Sequence, residues 1–73
     1  MAKKWLHNGA SVRVTRLGST EGWRVKARYL RSRSERAQGK VIGPAFGYRG
    51  TVLLVVHEQG TVGAYHVDEL TPA

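Results

Sequence analysis

The run from Thr51 to Val56 is the strongest constraint on how this chain can fold. Val52, Leu53, Leu54, Val55 and Val56 put apolar side chains on both faces of one extended segment. Such a run needs cover on both faces, so it reads as a central strand. His57-Glu58-Gln59-Gly60 then forms a tight turn, with Gly60 suited to positive φ. Thr61 to Val67 is the partner strand, and Val67-Asp68-Glu69-Leu70 is a short turn near the end.

Upstream, Ala10 to Leu17 alternates, with Val12 and Val14 on one side and Ser11, Arg13 and Thr15 on the other, the pattern of a half-buried strand. Gly18 to Gly22 is a turn or loop. Trp23 to Leu30 alternates again: Trp23, Val25, Ala27 and Tyr29 share one face, and Arg24, Lys26 and Arg28 the other. This predicts a second strand. Arg31 to Lys40 (RSRSERAQGK) is polar, charged and without apolar period, which predicts a long basic mobile loop with at most one helical turn. Val41-Ile42 is a short apolar piece, and residues 1–9 read as a flexible N-terminal arm on which Trp5 and Leu6 can dock. Strands separated by turns every 8–12 residues point to an all-β fold, a small antiparallel barrel over residues 10–73. Its expected core is Val12, Val14, Val25, Val52, Leu54, Val56, Val62 and Val67.

Seventy-three residues allow one domain with a thin core, and no cysteine is present to staple it. The first residues carry charge but no apolar run, and no stretch approaches the roughly 20 apolar residues of a membrane span. A cytoplasmic protein without membrane contact, and a monomer, is the expectation.

Charge is segregated. All twelve Lys and Arg residues lie between Lys3 and Arg49, where only Glu21 and Glu35 oppose them, giving +12 − 2 = +10. Residues 50–73 carry only Glu58, Asp68 and Glu69, or −3. Solubility needs no such segregation, whereas a polyanion or an acidic protein surface is met by it. The densest part is Arg24, Lys26, Arg28, Arg31, Arg33 and Arg36, six cations in thirteen residues. Five of the six are arginine, which favours bidentate contacts with phosphate or carboxylate. On a strand, Arg24, Lys26 and Arg28 would be spaced about 6.6–6.8 Å apart, close to the phosphate repeat of an extended single strand. Trp23 and Tyr29 fall on the opposite face and are expected in the core.

Residues 43–52, GPAFGYRGTV, have the form G-P-x-x-G-x-x-G-x-V and are flanked by Val41-Ile42 and by Leu54 and Val56. The run resembles the KOW motif of ribosomal proteins and NusG-like transcription elongation factors, over roughly residues 39–67. The resemblance implies a loop between two strands of an SH3-like barrel. The alternation of Ala10–Leu17 and the ending YHVDELTPA also look like the first and last strands of such barrels. The loop's chemistry can be argued directly. Its glycines leave backbone amides uncovered for a phosphate or a partner, and Pro44 restricts it. Phe46 is expected to plug the barrel end. Tyr48 offers a flat face and Arg49 a planar fork for surface contact.

Nothing in the residues suggests catalysis or a cofactor. His7, His57 and His66 lack metal-ligand spacing, and five acidic residues form no cluster. His57 and His66 read as ordinary strand residues. Ser11, Ser19, Ser32 and Ser34 sit in no nucleophile elbow, and no phosphate-binding P-loop is present. Arg31-Ser32-Arg33-Ser34 resembles a kinase target, a match common by chance. Two function classes remain. One is a nucleic-acid binder, RNA rather than DNA, gripping phosphates through Arg24, Lys26, Arg28, Arg31, Arg33, Arg36, Lys40, Tyr48 and Arg49. The other is a regulator that docks on an acidic protein surface such as RNA polymerase or the ribosome, for example a phage- or plasmid-type effector of the polymerase.

Overall fold

Valine supplies much of the strand interior here because its branched Cβ is stiff and packs well on a pleated surface. The computed structural model describes residues 4–45 and 51–73. Among them lie five strands: β1 (Ser11–Val14), β2 (Gln38–Pro44), β3 (Val52–His57), β4 (Val62–His66) and β5 (Leu70–Pro72). One short helix, α1 (Ala27–Arg31), precedes β2, and a 3-10 turn (Val67–Glu69) joins β4 to β5. The strands make a single sheet in the order β4-β3-β2-β1-β5, and every pairing is antiparallel. This is a small all-β fold that curls toward a barrel without closing, since β4 and β5 are its two unpaired edges.

The run that reads as a central strand is β3, held between β2 and β4. Its alternation sends Leu53 and Val55 to one face and Val52 and Leu54 to the other. The first face forms the main core with Val12, Val14, Val41, Tyr65 and Leu70. The second packs Val52, Ala45 and Ala64 beneath Trp23, Val25, Tyr29 and Leu54. Of the expected core, Val12, Val14 and Val52 are buried, whereas Val25, Leu54, Val56, Val62 and Val67 are only half-buried. With both faces apolar, the sequence pattern alone did not choose the inner one. Tyr65 chose it: fully buried and paired with Leu53, it sets that side of β3 as the main core.

Two other expectations are corrected. The segment expected as a strand at Trp23–Leu30 forms no strand; Ala27–Arg31 is helical. Alanine, leucine and arginine are strong helix formers, and Tyr29 and Leu30, adjacent in sequence, are both half-buried, which alternation along a strand does not give. The basic loop at 31–40 is divided as well. Arg31 ends α1, and Gln38–Lys40 open β2. Gly39 explains the missed strand start: a Cβ there would collide with the backbone oxygen of Val56, so β2 approaches β3 through a residue with no side chain.

The arm is folded back where it is described. Gly9 turns with φ 87° and donates its N–H to Val41 O, while Trp5 and Leu6 pack against the main core. Gly60, at φ 102°, closes the β3–β4 hairpin as its position suggests. Among the described residues no helix is long and apolar enough to cross a membrane.

Candidate nucleic-acid interface

Basic side chains on this fold fall into two groups with different fates. Arg24, Lys26, Arg28 and Arg31 are exposed along one segment that leads into and through α1. Arg28 and Arg31 belong to α1, whereas Arg24 and Lys26 precede it, so Arg24, Lys26 and Arg28 do not line one strand face as expected. Arg36 and Lys40 lie elsewhere. Arg36 turns the chain into β2 with φ 65°, an unusual conformation for a side chain other than glycine, and borders a hollow with Arg13 and Gln38. Lys40 is exposed in β2, in register with Ser11 and Val56. Tyr48 and Arg49, with Phe46, lie outside the described residues. The segment that carries them joins the end of β2 to the start of β3, which are antiparallel neighbours.

Arg33 departs from the surface role expected of it. Its side chain is 4% exposed. Nη1 donates to Ala64 O at 2.8 Å and to Glu69 Oε1 at 2.9 Å, and Nη2 donates to Glu69 Oε2 at 2.8 Å and to Gly18 O at 3.1 Å. The guanidinium also lies 4.8 Å from the Trp23 ring centroid and 5.3 Å from that of Tyr65. Every terminal N–H therefore has an acceptor inside the protein. Glu69 is equally satisfied, since Oε1 also accepts from His66 N and Oε2 from Gly18 N. Burial pushes the Glu69 carboxyl upward, but hydrogen bonds from Arg33, Gly18 and His66 outweigh it and hold the group below the usual carboxylate range.

His57, expected as an ordinary strand residue, is buried beside this network. Its Nε2 lies 2.7 Å from the Tyr65 hydroxyl and its Nδ1 lies 2.9 Å from Thr61 Oγ1. Tyr65 Oη accepts from Ser34 N at 2.8 Å, so its own proton points to His57 Nε2. That arrangement places the imidazole proton on Nδ1, in a neutral ring. Burial lowers the His57 pKa, against an opposing hydrogen bond from the Thr61 region, and raises that of Tyr65. Room for the pair comes from Gly63, where a Cβ would sit 2.9 Å from His57 Cε1 and 3.0 Å from Tyr65 Cε2. His66 instead ends β4, and its ring accepts from Asp68 N to cap the 3-10 turn.

Between the α1 segment and the sheet is a hollow of about 500 Å³. Leu54, Ala45 and Val25 line it with apolar surface, Tyr29 forms a wall, and Arg24 and Lys26 stand at the rim. Tyr29 also borders a second, smaller hollow of about 320 Å³ shared with Arg28. The Arg28 guanidinium lies 5.3 Å from the Tyr29 ring centroid. No acidic residue among those described lines either hollow. The four cations are legible in the sequence, whereas the hollow beside them is not. Its signals were Val25, apolar between two cations, and Leu54, on the less buried face of β3. Among the described residues no group of three or more His, Asp or Glu could hold a metal ion.

Models of known protein families, curated proteins and solved structures were each compared with this chain, and none matches it.

Proposed function

We propose that this chain is a non-enzymatic, cytoplasmic binding module that grips nucleic acid, RNA in preference to DNA, through phosphate contacts. The observation that carries the reading is the exposed row of Arg24, Lys26, Arg28 and Arg31 beside hollows with no described acidic lining. Four exposed cations within eight residues of sequence repel one another, and a polyanion relieves that repulsion while releasing its counterions. The resemblance of GPAFGYRGTV to the KOW motif supports the same reading and favours RNA. The placement of that segment between two adjacent antiparallel strands is in keeping with an SH3-like barrel. Its Tyr48 and Arg49 join Lys40 and Arg36 as further candidate contacts.

The test is a binding titration of a labelled single-stranded RNA at rising salt, with polyglutamate as a second polyanion. The expected result is a linear fall of log affinity with log salt, with a slope near −3 if about four phosphates are neutralised at roughly −0.7 each. Absence of RNA binding at low salt would overturn the proposal. Equal affinity for polyglutamate would transfer the interface to the alternative partner, an acidic protein surface.

A further inference from the structure

We infer that the hollow between the α1 segment and the sheet takes one unpaired base of a single-stranded nucleic acid, with its flanking phosphates on Arg24 and Lys26. The inference rests on the nucleic-acid reading above and adds to it what enters the protein. Four observations converge. The hollow, at about 500 Å³, is within the roughly 300–1,000 Å³ of sites that hold small molecules and large enough for a base with its sugar. Its lining of Leu54, Ala45 and Val25 is apolar, which suits a ring's faces and not a phosphate. Tyr29 provides an aromatic wall, and the nearby Arg28 cation draws electron density from that ring, making it a better partner for an electron-rich base. Arg24 and Lys26 flank Val25 in sequence and stand exposed at the rim. A ligand that is flat and apolar at its centre and anionic on either side fits these features together.

Two consequences separate this from simple phosphate binding. Double-stranded nucleic acid has the higher charge density, so a purely electrostatic surface favours the duplex. A base inside a duplex cannot enter the hollow, so this protein should favour the single strand. The apolar lining also offers few groups to read a base edge, so the site should accept any base, with purines preferred for their larger stacking face.

The experiment compares three probes of equal length at one salt concentration: a single-stranded oligonucleotide, the same strand without bases, and its duplex. The expected order is single strand over the abasic strand by about tenfold, from stacking of one base, and single strand over duplex. In a Tyr29→Leu variant the single-strand and abasic affinities should converge, with the salt slope unchanged. Equal binding of single and abasic strands by the unaltered protein, or tighter duplex binding, would overturn base insertion and leave the phosphate reading standing. Failure to bind all three probes would end both. Should Tyr29→Leu fail to fold, the comparison on the unaltered protein still decides.

Discussion

Arg33 and Glu69, thirty-six residues apart, meet in a two-pronged ion pair with N–O distances of 2.8 and 2.9 Å. The pair sits where the sheet is open. Arg33 also holds Ala64 O of β4, and Glu69 immediately precedes β5, so one guanidinium links the two edge strands that do not pair with each other. It also shields the edge of β4, where an exposed carbonyl would otherwise invite another chain.

Removing one partner from this pair should be far worse than removing both. Arg33→Met leaves a buried carboxylate without its cation and should cost about 3–5 kcal/mol, much of a small domain's stability. The double variant Arg33→Met/Glu69→Leu should recover a large part of that loss. Arg33→Lys should not rescue, because an ammonium cannot present the planar fork that reaches both carboxylate oxygens and two carbonyls. Urea unfolding of the four proteins is the check; equal stabilities would show that the pair contributes nothing.

Acid should remove stability over two ranges of pH. A neutral histidine with a lowered folded pKa binds its proton more readily once unfolded, so His57 stabilises fully at neutral pH and loses its contribution as pH falls below about 6.5. Glu69, also lowered, contributes above the unfolded carboxyl value of about 4.5 and loses its share as pH falls through the folded value. Stability against pH should therefore show an upper slope from His57 and a lower one from Glu69. In His57→Gln the upper slope should vanish while the lower remains. A flat profile between pH 7 and 5 in the parent would contradict this assignment.

Gly63 should tolerate no side chain. Gly63→Ala forces a methyl against His57 and Tyr65, whose positions are fixed by hydrogen bonds to Thr61 and Ser34, and should cost about 1–3 kcal/mol. Thermal melting reads the loss directly. A variant as stable as the parent would mean that the ring pair shifts at no cost.

Much of the β architecture could be read from the residues, and the reason is local. Val12 and Val14 alternate with polar neighbours, Thr51–Val56 needs cover on both faces, and Gly60 marks its turn; each signal spans a few residues and sets one element. What escaped depends on residues distant in sequence. Arg33 looks like its five cationic neighbours, and only Glu69, brought to it by the return of the chain, makes it internal. His57 ends an apolar run without any local hint of Tyr65. The helix at Ala27–Arg31 escaped because short alternation and helix propensity competed, and packing against β4 and β3 decided. The exposed cations were legible as a charge cluster, whereas the hollow beside them is built by Val25 and Tyr29 meeting Ala45 and Leu54 across the fold.

The two leucines of β3 should differ. Leu53 is 7% exposed and faces the main core, so Leu53→Ala should cost roughly 2–5 kcal/mol. Leu54 is half-buried and lines the hollow, so Leu54→Ala should cost clearly less, since part of its surface already meets solvent. Chemical denaturation of both variants tests the direction; the reverse order would place the main core on the wrong face of β3.

Arginines alike in sequence should also separate by function. Replacing Arg24, Lys26, Arg28 and Arg31 together by Gln should flatten the salt dependence of RNA binding by about 0.7 per cation lost, approaching 3 in all. Because these side chains are exposed, the melting temperature should fall far less than in Arg33→Met. Arg33→Met should do the opposite, lowering the melting temperature while leaving the slope as it was under conditions where the variant is folded. A third protein, Arg13, Arg36 and Lys40 replaced by Gln, removes exposed charge away from the α1 segment. If the row along α1 dominates the interface and Arg36 and Lys40 only extend it, this triple variant should flatten the slope less per cation lost. Equal flattening per cation in both exposed sets would show that total charge, and not this row, governs binding. A flattened slope in Arg33→Met would mean that its guanidinium leaves Glu69 to meet phosphate, and that the ion pair opens on binding.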